Sequence, residues 1–258
     1  MNRVQRLFKR LRAKQRCGLV AYVTCGDPDL ETTIRVVQEL EEAGADAIEL
    51  GVPFSDPIAD GPVIQAAARR ALRGGTNVRD VFRVAKTIRE RSEIPLIAFS
   101  YLNPILRIGP EAFAAGAADS GFDAALLTDL PPEASREIHS ALRAKGLGLV
   151  FLLAPTSSER RIAAIDRASD GFVYYVSTTG VTGVRSEFDP ALLERLDEIR
   201  AKMKKPLAVG FGVSKREHYE ALRTRCDAVV VGSAIVRAVA DGKSAGAVVR
   251  EILGTASS

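Results

Sequence analysis

Little in this sequence suits metal, disulfide or membrane chemistry. Histidine occurs twice in 258 residues, as His139 and His218, both in helix-like stretches. Zinc sites draw on clustered His and Cys ligands, so no metal site is expected. Cysteine occurs three times, as Cys17, Cys25 and Cys226, with no CxxC spacing. Reduced thiols in a cytoplasmic protein are the simplest account of that pattern. No apolar run approaches the ~20 residues of a membrane span, and no apolar segment near the start matches the core of a secretory signal. Neither sign of charge dominates, since 36 basic and 32 acidic residues leave a net +4. A nucleic-acid partner would call for a recognisable binding module, and none is present.

What is present is the composition of a globular protein with a real core, 47% hydrophobic and 26% charged. Its one basic concentration is Arg3, Arg6, Lys9, Arg10, Arg12, Lys14 and Arg16, with no acid among them. A transit peptide would be rich in serine, which this segment lacks. Val4, Leu7, Phe8 and Leu11 fall at helical spacing instead, so the segment reads as a surface helix with a solvated basic face.

Strand and helix signals alternate along the whole chain. Strands are expected at 18–24, 47–51, 95–100, 122–127, 147–153, 172–177, 206–210 and 228–231, each followed by a helix. Ser157 or Ser158 suits the cap of one helix, and Ser214 with Glu217 has capping-box spacing at another. Eight such units in about 250 residues match a single-domain (β/α)8 TIM barrel spanning 1–258, with a helix before it and an insertion after strand two. An open doubly wound sheet is the rival. It would usually begin with a glycine-rich dinucleotide fingerprint, and Cys25-Gly26-Asp27-Pro28 is not one.

The second strand carries the oddity of the sequence. Ile48 and Leu50 belong to one face of it, Ala47, Glu49 and Gly51 to the other. Glu49 thus lies among small residues on a strand otherwise fit for burial, and a buried carboxylate is costly unless paired or used. Beyond Gly51, Pro53, Pro57 and Pro62 forbid a helix and shape a stiff loop bearing Asp56 and Asp60. One carboxylate at a strand end and another on the loop above it fit proton-transfer chemistry. Asp27 and Asp129 read as turn or cap residues. The loop also presents Pro53 and Phe54 beside Asp56, an apolar surface that calls for a cover unless Phe54 folds back onto the barrel.

Three glycine-bearing turns follow the last three strands: Gly180-Val181-Thr182-Gly183, Gly210-Phe211-Gly212 and Gly232-Ser233. Glycine turns before helices leave backbone N–H groups free for phosphate, and barrel strands seven and eight are a recurrent place for it. Residues 177–186 suit a mobile lid. Tyr22, Phe99, Tyr101, Phe172, Tyr174 and Phe211 lie at strand ends, where they enclose a flat apolar group or simply fill the core.

These residues resemble the tryptophan synthase alpha chain family. Glu49-Leu50-Gly51-Val52-Pro53-Phe54-Ser55-Asp56-Pro57 through Asp60-Gly61-Pro62 is similar to that family's signature. Thr24-Cys25-Gly26-Asp27-Pro28, Tyr101-Leu102-Asn103-Pro104, Asp129-Leu130-Pro131 and the three glycine turns match in order. The resemblance implies retro-aldol cleavage of indole-3-glycerol phosphate to indole and glyceraldehyde 3-phosphate. It implies acid/base work for Glu49 and a hold on the indole N–H for Asp60. Substrate contacts are expected from Tyr22, Tyr101, Tyr174, Thr182, Gly183, Phe211, Gly212, Gly232 and Ser233. No cofactor is implied in this chain. Pyridoxal phosphate belongs to a partner beta chain, which receives indole through a tunnel in an alpha-beta-beta-alpha heterotetramer and is touched through Pro53 and Asp56. Phe172 and Thr178 stand where some relatives carry tyrosine and arginine. The remaining readings are a free-standing indole-producing lyase and a non-catalytic activator of a partner.

Overall fold

The computed structural model describes residues 1–176, 188–210 and 212–255. A helix, α1 (Arg3–Ala13), precedes nine strands: β1 (Gly18–Thr24), β2 (Ala47–Gly51), β3 (Leu96–Ser100), β4 (Ala124–Leu127), β5 (Gly148–Val150), β6 (Leu152–Leu153), β7 (Val173–Val176), β8 (Leu207–Gly210) and β9 (Ala228–Val231). All pairings are parallel, in the order β5-β4-β3-β2-β1-β9-β8-β7-β6. The two outer members, β5 and β6, are consecutive in the chain and separated by Phe151 alone. The sheet is therefore a nearly closed barrel, as expected, with its fifth strand broken. The break has a local cause: the Phe151 N–H donates to the Ser169 hydroxyl at 3.2 Å instead of to a neighbouring strand.

Helices cover the outside, and strand periodicity sorts the side chains. Ile48, Leu50, Ala98 and Val229 face the helices; Ala47, Ile97, Leu126 and Val230 fill the interior. The expected insertion follows β2. It consists of the loop 52–61, then α2's successors in the chain: with α2 (Leu30–Glu42) between β1 and β2, these are α3 (Pro62–Arg73) and α4 (Val78–Arg89). Pro62 occupies the first position of α3, where its missing N–H has no helical partner to lose. One helix was not anticipated. α5 (Leu102–Ile108) tolerates Pro104 because that residue lies in its first turn, and Asp129 accepts the Leu102 N–H at 2.7 Å.

Several local expectations change. Asp29, not Asp27, caps α2, taking the Thr32 N–H at 2.7 Å, while Asp27 is buried in a two-point ion pair with Arg70 at 2.7 Å. Ser158 caps its helix as expected. Ser214 and Glu217 form no capping box: the helix Arg216–Leu222 has Lys215 at its cap, and the Ser214 N–H turns to His218 Nδ1. Phe172 belongs to the closed end of the barrel, stacked 5.0 Å from Phe8 of α1, and not to the mouth.

The N-terminal end of the barrel is organised by four aspartates. Asp46, Asp123, Asp170 and Asp227 precede β2, β4, β7 and β9. Each donates its N–H to the carbonyl of a leucine near the start of the preceding strand: Leu19, Leu96, Leu149 and Leu207 respectively. Each takes that leucine's own N–H on its carboxylate, at 2.9, 3.1, 3.2 and 2.9 Å. Arg16, Arg3, Arg143 and Arg12 then neutralise the four carboxylates. The basic N-terminal segment is thus only partly solvated. Three of its arginines are anchors, and Val4, Leu7, Phe8 and Leu11 plug the barrel below them.

Removing one anchor should be costly. Asp227→Ala strands the Leu207 N–H and the Arg12 and Arg200 charges, so a loss of about 2–3 kcal/mol is expected in urea unfolding. Activity per folded molecule should be unchanged, because Asp227 lies at the end of the barrel away from the strand C-termini. A loss below about 0.5 kcal/mol would contradict the anchoring role.

Candidate active site

At the other end of the strands Asp27 has its arginine, but Glu49 and Asp60 have no such charged partner among the described residues. Glu49 sits in the middle of the nearly closed sheet, beside Tyr22 of β1 and Ile97 of β3 in the strand register. It is 0% exposed, and neither carboxyl oxygen has a hydrogen-bond partner among the described residues. Burial alone pushes its pKa up to about 8. At neutral pH the group is a carboxylic acid.

Asp60 lies on the loop above it. Its Oδ2 accepts the Tyr101 hydroxyl at 3.1 Å, and the same hydroxyl oxygen accepts the Ala59 N–H at 2.9 Å. Burial raises Asp60 to about 6, and the bond from Tyr101 opposes the rise. The two carboxyls therefore differ in charge near pH 7, one neutral and one ionised. Such a split, set by environment, is how two acids take separate roles.

Tyrosines line the space between. The Tyr22 hydroxyl accepts from Thr24 Oγ1 at 3.3 Å, and its ring meets Phe99 edge-on at 5.0 Å. Burial and the nearby charges of Asp60 and Glu49 push Tyr22 upward, and Tyr174 likewise, so both hydroxyls keep their protons. Each ring leans over a glycine of the adjacent strand. A Cβ at Gly51 would come within 2.3 Å of the Tyr22 hydroxyl, and one at Gly210 within 2.5 Å of the Tyr174 hydroxyl. Only glycine leaves that room.

The glycine turns fall at the same end. Gly232 caps the helix Ser233–Ala240, which has no acidic residue in its first turn, so its free N–H groups and dipole suit an anion. A Cβ at Gly232 would lie 3.5 Å from the Tyr22 Cβ, which places the turn beside the mouth. Gly212 has φ +67°, a left-handed conformation, with open space beside it. Thr182, Gly183 and Phe211, together with Thr178 and the expected lid at 177–186, lie outside the described residues.

The loop's apolar surface is not where the sequence placed it. Pro53 is buried, and Phe54 packs on the Tyr101 ring at 5.2 Å. Asp56 is exposed. Among the described residues, the large exposed apolar groups of this face are instead Ile58, 87% exposed, and Leu106 of α5, 51% exposed. Sequence reading also missed Gln65 of α3, whose amide reaches the loop backbone at Asp60. A glutamine on an amphipathic helix carries no signal that separates it from a solvated one. Among the described residues no three His, Cys, Asp or Glu side chains cluster as a metal site.

Known proteins match this chain along nearly all of its length. The family model described as tryptophan synthase alpha chain matches residues 8–255. The tryptophan synthase alpha chain of Solibacter usitatus is 50% identical over 239 residues, covering 93% of this chain and 90% of the relative. That of Citrifermentans bemidjiense is 48% identical over 237 residues, covering 92% and 89%. Among solved structures, tryptophan synthase subunit alpha from Legionella pneumophila superposes with a TM-score of 0.91 at 34% identity, covering 99% of this chain and 98% of that one.

The buried acid has a consequence for stability. Folded, Glu49 keeps its proton up to about 8, whereas an unperturbed glutamate releases it near 4.5. Between those values the native state binds more protons than the unfolded state, so this group's contribution weakens as pH rises. Glu49→Gln removes the penalty. The variant should be more stable than the native chain at pH 9, by roughly 2–4 kcal/mol, with the advantage shrinking towards pH 5. Urea unfolding at the two pH values checks this; an equal difference at both would contradict a raised pKa.

Proposed function

The chain belongs to the tryptophan synthase alpha chain family, and from that premise we propose which of its residues perform the family's reaction. The family's members are lyases of tryptophan biosynthesis that cleave indole-3-glycerol phosphate to indole and glyceraldehyde 3-phosphate. We assign this step to the whole 258-residue chain as one catalytic domain.

The observation that carries the assignment is the buried carboxyl of Glu49, without a partner among the described residues, beneath the ionised Asp60. Neutral Glu49 gives its proton to the indole ring carbon that bears the glycerol side chain. Positive charge then develops on the ring nitrogen, and the Asp60 carboxylate accepts that N–H and stabilises it. Glu49, now a carboxylate, takes the proton of the adjacent glycerol hydroxyl. The carbon–carbon bond breaks, its electron pair restores the aromatic ring, and the hydroxyl carbon becomes the aldehyde. Glu49 ends protonated, ready for another cycle. The exchange requires an acid whose two forms are both accessible near neutral pH, which burial supplies.

Substrate holding is divided around the mouth in this proposal. Tyr22 and Tyr174 flank the indole, with Tyr101 fixing Asp60, while Gly212, Gly232 and Ser233 receive the phosphate on backbone N–H groups. Thr182, Gly183 and Phe211 complete the contacts by resemblance. The step calls for no cofactor in this chain.

Members of the family work with a beta chain. We propose an alpha-beta-beta-alpha heterotetramer in which that chain, carrying pyridoxal phosphate, covers the exposed Ile58, Leu106 and Asp56. The setting is cytoplasmic; among the described residues no helix is long and apolar enough to cross a membrane.

Two outcomes test the reading. For indole production, kcat/KM should rise with pH through about 6 as Asp60 ionises and fall through about 8 as Glu49 loses its proton. Glu49→Gln should lower turnover by roughly 10²–10⁴-fold while retaining substrate binding; near-native turnover would refute the acid/base role, and a native chain that yields no indole would mark a non-catalytic activator. Separately, added beta chain should accelerate the native chain strongly. Ile58→Asp should weaken that acceleration at least tenfold, with the basal rate kept within about threefold. A native chain indifferent to beta chain would mark a free-standing lyase.

A further inference from the structure

The loop that carries Asp60 owes its shape to two side chains from outside it. Residues 57–60 form a turn in which the Asp60 N–H donates to the Pro57 carbonyl at 3.1 Å. Ile58 and Ala59, the middle of that turn, are exposed, so water competes for its backbone groups. Tyr101 grips one side, through the Ala59 N–H and the Asp60 carboxylate. Gln65, in the first turn of α3, grips the other. Its Nε2 donates to the Asp60 carbonyl at 2.9 Å and to the Pro57 carbonyl at 3.3 Å.

Two carbonyl oxygens on one side admit only the NH2 end of the amide, which has one hydrogen for each. A single group therefore bridges the first and last residues of the turn whose last residue bears the carboxylate. The platform behind it is firm, because Arg70 of α3 is held by both oxygens of buried Asp27 at 2.7 Å. Pro57 and Pro62 lack N–H groups, so neither supplies a backbone donor that would replace the amide.

We propose that Gln65 is a positioning residue for the lyase reaction, holding the 57–60 turn so that the Asp60 carboxylate stays directed at the barrel mouth. It acts through Asp60 and does not touch the reacting atoms. The proposal rests on the reading of Asp60 as the carboxylate that meets the indole nitrogen. An interaction needed chiefly when charge develops on that nitrogen lowers kcat when lost, with a smaller effect on KM.

The test compares Gln65→Met, Gln65→Glu and Asp60→Asn in the full chain, by steady-state indole production from indole-3-glycerol phosphate and by thermal unfolding. Gln65→Met keeps the side-chain volume and removes both donors. Its kcat should fall about tenfold with KM within about threefold and little change in Tm. Gln65→Glu sets a carboxylate against two carbonyls at high pH and a donating carboxylic acid at low pH. Its rate relative to the native chain should therefore rise as pH falls through the titration of the introduced carboxyl, a response that a packing role would not produce. A Gln65→Met kcat within twofold of native, beside an inactive Asp60→Asn, would overturn the proposal while leaving Asp60 catalytic. So would a pH-independent loss in Gln65→Glu accompanied by a lowered Tm. An Asp60→Asn chain at native speed would remove the reading of Asp60 and the proposal with it.

Discussion

A carboxyl group with no charge opposite it among the described residues, enclosed by a nearly closed sheet, sets the terms for the chemistry at the catalytic end of this chain. Burying an ionised glutamate without a partner costs far more than burying a neutral one. Glu49 has only small residues, Ala47 and Gly51, beside it on its own inward strand face, and tyrosine and isoleucine across the register. Nothing among the described residues neutralises it, so the proton does. The opposite end of the barrel obeys the reverse rule. There, Asp46, Asp123, Asp170 and Asp227 each meet an arginine and a backbone N–H. Burial pushes Asp170 up, yet the bonds from His139 and Arg143 outweigh it and hold it below the usual carboxylate range. Charges that support the fold are paired, and those available for chemistry are not.

Legibility in the sequence followed the same division. Glu49 stood out because a carboxylate on a strand otherwise fit for burial violates the pattern around it. The eight-unit rhythm was visible because strand and helix periods alternate without interruption. The four-aspartate ring was not visible, although Asp46-Ala47, Asp123-Ala124 and Asp227-Ala228 repeat one dipeptide at three strand starts. Each aspartate alone is indistinguishable from an ordinary turn residue, and the pairing arginines are distant in sequence. Phe151 read as the centre of a strand because nothing local shows that Ser169 will capture its N–H. Pro104 hid α5, since a proline marks a helix start and a helix stop equally well until the cap from Asp129 is seen.

Placement of the loop joins the two halves of the account. The insertion after β2 supplies Asp60, and it is clamped between Tyr101 at the end of β3 and the third helix of the chain. The same segment exposes Ile58 on its outer side. A contact made there bears on a turn whose inner side carries a carboxylate, so a covering chain and the chemistry share one small piece of backbone. Phe54, packed on Tyr101, ties the loop's first half to that arrangement.

The central claim is that Glu49 is a neutral acid at physiological pH because of where it lies. The most direct measurement is a carbon-13 NMR titration of the Glu49 carboxyl in the full chain, assigned by the loss of its signal in Glu49→Gln. A midpoint near 8 is expected from burial. A midpoint at the ordinary glutamate value near 4.5 would mean that the carboxylate is solvated or paired in solution, and the proton cycle proposed here would fail.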